Sequence, residues 1–231
     1  MKTYPMFAVL EGKDCLVVGG GAVGERKVAD LLAAGARVTV VSPALTPALA
    51  ELAAREEIRY LSGDFAPGHL QGMALVLGAT DDPQVNAEVS AAARAAGIWV
   101  NIADAPELCT FIVPARVTRG DLTVAISTGG ASPALARKLR EELEGRFGSA
   151  YGPYLDLLKR VRDGVLAARR GHRDNPALFQ RLVDSPLLEA LAQGNREQAR
   201  SLLTDILEPA LGPGAAAALA AEAFRDLETG A

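Results

Sequence analysis

Through the first hundred residues the apolar positions alternate between two spacings. Short, mostly apolar runs at Cys15 to Val18, Arg37 to Val41, Ala74 to Ala79 and Ile98 to Ile102 have the length of strands buried on both faces. Between them the apolar residues fall at helical intervals: Val23, Val28, Leu31 and Leu32, then an alanine-rich stretch from Pro47 to Glu57. A third helix is expected from Asp82-Pro83 to about Ala96, with Asp82 as N-cap and Pro83 as first helical residue. Gly35 and Gly97 stop two of these helices, Ile58 to Leu61 reads as a short edge strand, and residues 63–68 as a loop. Met6 to Leu10 is a short apolar segment, expected as a strand or a cover beside the fold. Strand and helix in turn predict an α/β fold with a mostly parallel sheet and right-handed crossovers.

The pattern changes after Ile102. Phe111 to Ala115 and Leu122 to Ser127 predict two further strands flanking Arg116, Arg119 and Gly120. A glycine turn, Thr128-Gly129-Gly130-Ala131-Ser132-Pro133, then leads into a helix from Pro133 to about Phe147, with Ser132 as its N-cap. From Tyr151 only helical spacing remains, at Tyr154 to Ala168, Ala177 to Val183, Pro186 to Ala192, Arg196 to Ile206 and Gly214 to Leu227, and Glu228 to Ala231 are expected to fray. This predicts three parts: residues 1–113 as a nucleotide-binding domain, 114–150 as a small α+β segment, and 151–231 as an all-helical domain.

Where the first strand meets the first helix stands Gly19-Gly20-Gly21-Ala22-Val23-Gly24, which fits G-x-G-x-x-G in the strand–turn–helix context of a Rossmann-type fold. Gly19 permits the tight turn, Gly21 lets backbone approach a pyrophosphate, and Gly24 lets helix and strand pack closely. The helix N-terminus offers N–H groups and a positive dipole end to phosphates. The alternative is a glycine-rich turn that holds no ligand. At the end of the second strand, where an acidic residue usually holds the adenosine ribose, stand Ser42 and Pro43. A serine can bond a ribose hydroxyl without excluding a 2′-phosphate as a carboxylate would, so NAD is preferred to NADP only mildly.

Composition narrows the chemistry. The chain has 231 residues, 49% of them hydrophobic, and no apolar run near the roughly 20 residues of a membrane span. The N-terminus carries neither a signal nor a transit pattern, which points to the cytoplasm. A net charge of −4 argues against a general nucleic-acid binder. Two cysteines make no disulfide scaffold, and His69 and His172 stand far apart, so a resident metal is not expected. Neither G-x-S-x-G nor G-x-x-x-x-G-K-[ST] occurs, which leaves cofactor-driven redox chemistry. Asp104 follows the strand at Ile98 to Ile102, where a carboxylate could accept a proton; a turn aspartate bonding its own backbone is the other reading. Asp81 and Asp82 divide in the same way between ligand and cap, and Arg137, Lys138 and Arg140, with Glu141, Glu142 and Glu144, between anion binding and a solvated face. The cluster Arg169-Arg170 and Arg173 reads as surface.

Five blocks in order carry a family resemblance: residues 17–27, Ala79-Thr80-Asp81-Asp82, Asn101-Ile102-Ala103-Asp104, Phe111-Ile112-Val113-Pro114-Ala115, and Ser127 to Pro133. Over about residues 4–145 the sequence resembles the precorrin-2 dehydrogenase/sirohydrochlorin ferrochelatase family, the N-terminal module of siroheme synthases. The resemblance implies NAD-dependent oxidation of precorrin-2 to sirohydrochlorin, with Fe²⁺ insertion as a further activity. It implies a homodimer joined largely through 114–150, and the absence of the methyltransferase half of the fused enzymes. It places Ala22 and Val23 at the pyrophosphate, Ser42 and Pro43 on the adenosine side, Thr80 near the cofactor, and Asp104 in both proton transfers. Ser132 matches a serine that some members phosphorylate, and is taken here as a substrate contact. Because the tetrapyrrole is rich in carboxylates, Arg116, Arg119, Arg137 and Lys138 are candidate substrate cations. Two other functions stay open: an NAD(H)-sensing module whose helical tail binds a partner, and another small-molecule reductase on the same fold.

Overall fold

The computed structural model describes residues 2–225, and backbone contacts divide the chain into two compact units, Met1–Val113 and Pro114–Ala231. The first unit is a parallel sheet of β1 (Asp14–Val18), β2 (Arg37–Ser42), β3 (Arg59–Ser62), β4 (Leu75–Gly78) and β5 (Trp99–Ile102), in the order β3-β2-β1-β4-β5. Helices α1 (Ala22–Ala33), α2 (Pro47–Ala54) and α3 (Pro83–Ala95) connect them. The solid apolar runs are buried as their pattern requires: Cys15 to Val18 and Leu75 to Gly78 are wholly buried. Alternate residues of β1 serve opposite layers. Cys15 and Val17 pack with Val28, Leu31 and Leu49, whereas Leu16 and Val18 pack with Val89, Ala93 and Val100.

Caps set the helix starts. Thr46 accepts from Leu49 N–H at 3.3 Å before Pro47, and Asp82 accepts from Gln84 and Val85 N–H before Pro83. Residues 63–68 are not all loop, since Pro67–Leu70 makes a 3₁₀ turn in which Ala66 N–H donates to the His69 ring at 3.1 Å. Met6 to Leu10 forms no strand. Tyr4, Met6, Phe7 and Val9 are more than half exposed, and only Leu10 reaches the core.

In the second unit β6 (Ala115–Arg119) and β7 (Leu122–Ile126) form an antiparallel hairpin, followed by α4 (Pro133–Arg146). The first of these strands lies later than its apolar run suggested. Thr110 and Phe111 instead lie along the outer edge of β5, with Thr110 N–H donating to Val100 O and Asn101 Nδ2 to Phe111 O. Proline denies position 114 a ladder donor, and pairing starts just after it. Helices α5 (Tyr151–Ala168), α6 (Asn175–Val183), α7 (Leu187–Ala192), α8 (Arg196–Leu211) and α9 (Pro213–Arg225) share one core. Leu157, Val161, Val165, Leu182, Leu203 and Leu207 are its centre. Gly212, with φ 80°, ends α8, and Pro213 opens α9. The expectations for Leu227 and for Glu228 to Ala231 lie outside the described residues.

Candidate functional site

Four chain exits align along the carboxyl edge of the parallel sheet. The ladder runs one residue past β1, β4 and β5: Gly19 N–H donates to Val41 O at 2.9 Å, Ala79 N–H to Val18 O at 2.7 Å, and Ala103 N–H to Gly78 O at 2.9 Å. Residues 19–21, 42–44, 79–80 and 103–104 therefore leave the sheet side by side. From β1 the chain crosses to β2, whereas β4 lies on the other side of β1. That reversal opens a crevice above β1 and β4 where such sheets hold ligands.

The glycine turn is shaped by close backbone. Gly19 has φ 117°, and a Cβ there would overlap the Ala79 carbonyl; one on Gly24 would overlap the Gly19 carbonyl. Gly20 is equally constrained, since its Cβ would strike the Ala44 carbonyl and reach the Ser42 Cβ. The motif assigns no role to that position, so sequence reasoning missed it. Gly21 differs: its φ of −83° suits any residue, and no atom lies within 4 Å of a Cβ built there. It is also the N-cap of α1, with no side chain capping it. The N–H groups of Ala22, Val23 and Gly24 precede the first helical bond, Glu25 N–H to Gly21 O at 2.9 Å. Open space beside uncapped N–H groups at a helix start fits a dinucleotide pyrophosphate.

Thr46 braces the turn: its N–H donates to Gly20 O at 2.9 Å and its hydroxyl to Glu25 Oε2 at 2.6 Å. Threonine before proline was legible as a cap, but not its tie to Glu25. Ser42 is buried, its carbonyl accepting from Tyr60 Oη at 3.0 Å and Gly63 N–H at 3.2 Å, and Pro43 beside it is exposed. The Thr80 hydroxyl accepts from Asp82 N–H at 3.1 Å, while its carbonyl accepts from Asn86 Nδ2 at 2.9 Å. Among the described residues the buried Asn86 Oδ1 has no hydrogen-bond partner. Asp82 acts as the helix cap, and Asp81 is exposed.

Asp104 stands just past β5 with φ 58°, a conformation few side chains but asparagine and aspartate adopt readily. It is exposed, and among the described residues no side chain bonds its carboxylate. Cys15, in β1, is fully buried, and burial, reinforced by the Asp14 charge, pushes its thiol up to about 11. Asp14 itself is held below the ordinary carboxylate range by its hydrogen bond from Arg37, at 2.7 Å. His69 is taken up by its own 3₁₀ turn, and His172 lies beside Arg169 and Asp174.

The remaining candidates lie in the second unit. Arg116 and Arg119 are three apart on β6, hence on opposite faces; Arg119 donates to the carbonyls of Thr118 and Glu144. Ser132 caps α4, its hydroxyl accepting from Leu135 N–H at 3.2 Å. Arg137 and Lys138 each stand 3.8 Å from a carboxylate one turn on, Glu141 and Glu142, as on a solvated face. Among the described residues no group of three or more His, Cys, Asp or Glu could hold a metal, and no helix is long and apolar enough to cross a membrane.

This sheet order, glycine turn and uncapped helix define a Rossmann-type dinucleotide-binding protein. Comparison with known proteins makes that class specific. Residues 6–115 match a family model described as NAD(P)-binding, and residues 119–146 one described as the sirohaem biosynthesis protein central region. A siroheme synthase of Nitrosomonas europaea is 44% identical over 90% of this chain and 44% of its own length. One from Methylobacillus flagellatus is 42% identical over 90% of this chain and 44% of its own. The solved structure of SirC, a precorrin-2 dehydrogenase, superposes with a TM-score of 0.71 at 27% identity, over 88% of this chain and 98% of that one. Over about nine tenths of its length the chain is thus similar to siroheme synthases and to a precorrin-2 dehydrogenase. It spans under half the length of the curated relatives it matches.

Proposed function

We propose that this protein oxidises precorrin-2 to sirohydrochlorin with NAD⁺ as hydride acceptor, and that Asp104 takes the accompanying proton. The observation that carries this reading is the alignment of Asp104 with the Gly19 to Gly24 turn on one carboxyl edge, beside SirC as a structural relative. NAD⁺ supplies the hydride acceptor when bound. Gly19, Gly21, Ala22, Val23 and Gly24 hold its pyrophosphate through backbone, Ser42 and Pro43 line its adenosine side, and Thr80 borders the path between. Asp104 is exposed and unbonded, as a base that must meet a substrate proton has to be. The same property favours a second activity, in which Asp104 takes a pyrrole proton as substrate Fe²⁺ enters sirohydrochlorin. Arg116, Arg119, Arg137 and Lys138, with the Ser132 hydroxyl, answer the substrate's carboxylates.

A homodimer belongs to this reading. Across residues 114–150 only Val117 is buried, and α4 has no buried residue at all, so this segment still has apolar surface to cover.

The test is turnover. With precorrin-2 and NAD⁺ the protein is expected to form NADH and sirohydrochlorin in equal amounts, and Asp104→Asn to lower kcat at least about 100-fold. Asparagine is the cleaner variant because it tolerates the positive φ. NAD⁺ binding without any NADH formation would contradict the reading and favour a sensor; full activity in Asp104→Asn would remove the proton role. Adding Fe²⁺ to sirohydrochlorin without NAD⁺ tests chelation separately.

A further inference from the structure

The turn that presents Asp104 is held by Cys109, and the segment carrying Cys109 is held by Ser90 and Arg94 of α3. Ile102 to Ala105 closes only loosely on its own, with Ala105 N–H reaching Ile102 O at 3.4 Å. It keeps Asp104 at φ 58°, a conformation less common than the right-handed one even for aspartate. Beneath it sits the half-buried Cys109. Its Sγ lies 3.2 Å from Ile102 N, 3.5 Å from Asn101 Nδ2, 3.4 Å from Ile102 O and 3.3 Å from Ala105 O. The thiol accepts from the two N–H donors and gives its single proton to one of the two carbonyls. It thereby spans the turn from its first residue to its last.

The segment carrying Cys109 is fixed in turn to α3. Ser90, itself buried, donates its hydroxyl to Leu108 O at 2.6 Å. The Arg94 guanidinium donates to Glu107 O at 3.1 Å and Cys109 O at 3.0 Å, and its Nε to Ser90 Oγ at 3.3 Å. Three successive carbonyls, of residues 107, 108 and 109, are thus pinned to one face of a helix. Thr110 completes the hold, its N–H donating to Val100 O at 2.8 Å and its hydroxyl accepting from Val100 N–H at 2.9 Å.

We infer that Cys109, backed by Ser90 and Arg94, is a positioning residue for Asp104. It fixes the Ile102 to Ala105 turn so that the carboxylate meets its proton in one orientation rather than several. The inference rests on the reading of Asp104 as the base. A thiol suits the place, because its long C–S bond and large sulfur reach four polar atoms at 3.2 to 3.5 Å; serine, on a shorter bond, keeps the donor and acceptor but reaches less far. A brace that served only to seal the outer edge of β5 would alter stability without touching the proton-transfer step.

The experiment is a double-mutant cycle on the full chain with precorrin-2 and NAD⁺. Cys109→Ala is expected to lower kcat about tenfold or more, with KM for precorrin-2 and affinity for NAD⁺ within about twofold, and to shift the acidic limb of the kcat–pH profile. Cys109→Ser is expected to recover most of the loss. In the Asp104→Asn background, Cys109→Ala should cost nothing further. Arg94→Gln, on the exposed side of the brace, should repeat the pattern at about three- to fivefold, and it decides the matter if Cys109→Ala does not fold. Equal losses from Cys109→Ala with and without the Asp104 carboxylate would overturn the inference, as would wild-type kcat and pH profile in both brace variants. If those variants are silent while Asp104→Asn is impaired, only the positioning role falls. If Asp104→Asn is as active as the wild type, both readings fall.

Discussion

Two glycine-rich turns lead into helices, residues 19–24 into α1 and 128–133 into α4, and they spend their hydrogen bonds in opposite ways. In the first, glycines allow three stretches of backbone to touch, and the helix begins on Gly21 with no side chain over its N–H groups. In the second, hydroxyls do the closing. Thr128 Oγ1 accepts from Ser132 N–H at 3.2 Å and donates to Ser132 O at 3.1 Å, and Ser132 Oγ accepts from Leu135 N–H at 3.2 Å. A Cβ added to Gly130, at φ 85°, would meet no atom within 4 Å. Glycine content therefore does not by itself mark an anion site. What separates the two is whether a side chain caps the helix start: Ser132 takes the Leu135 N–H in the second turn, whereas no side chain caps the first. The second keeps the Ser132 hydroxyl proton, which suits a substrate contact.

The largest expected contrast comes from adding one methyl group to each turn. Gly19→Ala forces a Cβ into the Ala79 carbonyl at a positive φ and should cost about 3 kcal/mol or more in thermal or denaturant unfolding, with loss of NAD⁺ binding. Gly130→Ala meets only backbone strain, about 1 kcal/mol, and should leave NAD⁺ affinity unchanged. Similar costs at both positions would erase the distinction.

A smaller effect concerns the strand that feeds the first turn. Because burial raises the Cys15 thiol to about 11, the unfolded chain loses that proton at lower pH than the folded one. Stability from this group is fully present at neutral pH and is lost as pH rises from about 9 to about 11, by at most about 2–3 kcal/mol. Cys15→Ala should flatten that alkaline slope in pH-dependent denaturation, and a slope unchanged by the substitution would place its origin elsewhere. Smallest is the cap of the second turn. Ser132→Ala should cost about 1 kcal/mol of stability and, in the proposed reaction, raise KM for precorrin-2 more than it lowers kcat. A wild-type melting curve would show that the capping bond contributes nothing.

How much could be read in advance follows the same division. The strands of the parallel sheet, the first glycine turn, and the caps Asp82 and Ser132 were legible, because each is written in neighbouring residues: an apolar run, a Gly-x-Gly, a polar residue before proline. Gly20 was not, because its neighbour Ala44 comes from the next crossover. Nor were the Thr46–Glu25 bond or the four contacts of Cys109, which join segments that meet only once the sheet is formed. The first strand of the hairpin was placed too early because Phe111 and Ile112 look like strand core, whereas Phe111 packs beside β5 and hairpin pairing starts only at Ala115. Arg137 and Lys138 mark another limit: a basic pair one turn ahead of Glu141 and Glu142 reads the same in sequence whether it meets a ligand or only those carboxylates.

The central claim, that the first turn is held open for a dinucleotide, is met most directly at Gly21. Alanine fits the backbone there and its Cβ would meet no atom within 4 Å, so Gly21→Ala should shift the melting temperature by no more than a few degrees. Calorimetric titration with NAD⁺ should show a saturable site in the wild type and at least about tenfold weaker binding in the variant, a loss of about 1.4 kcal/mol or more. Equal affinity in the two proteins, or no binding by the wild type, would contradict it.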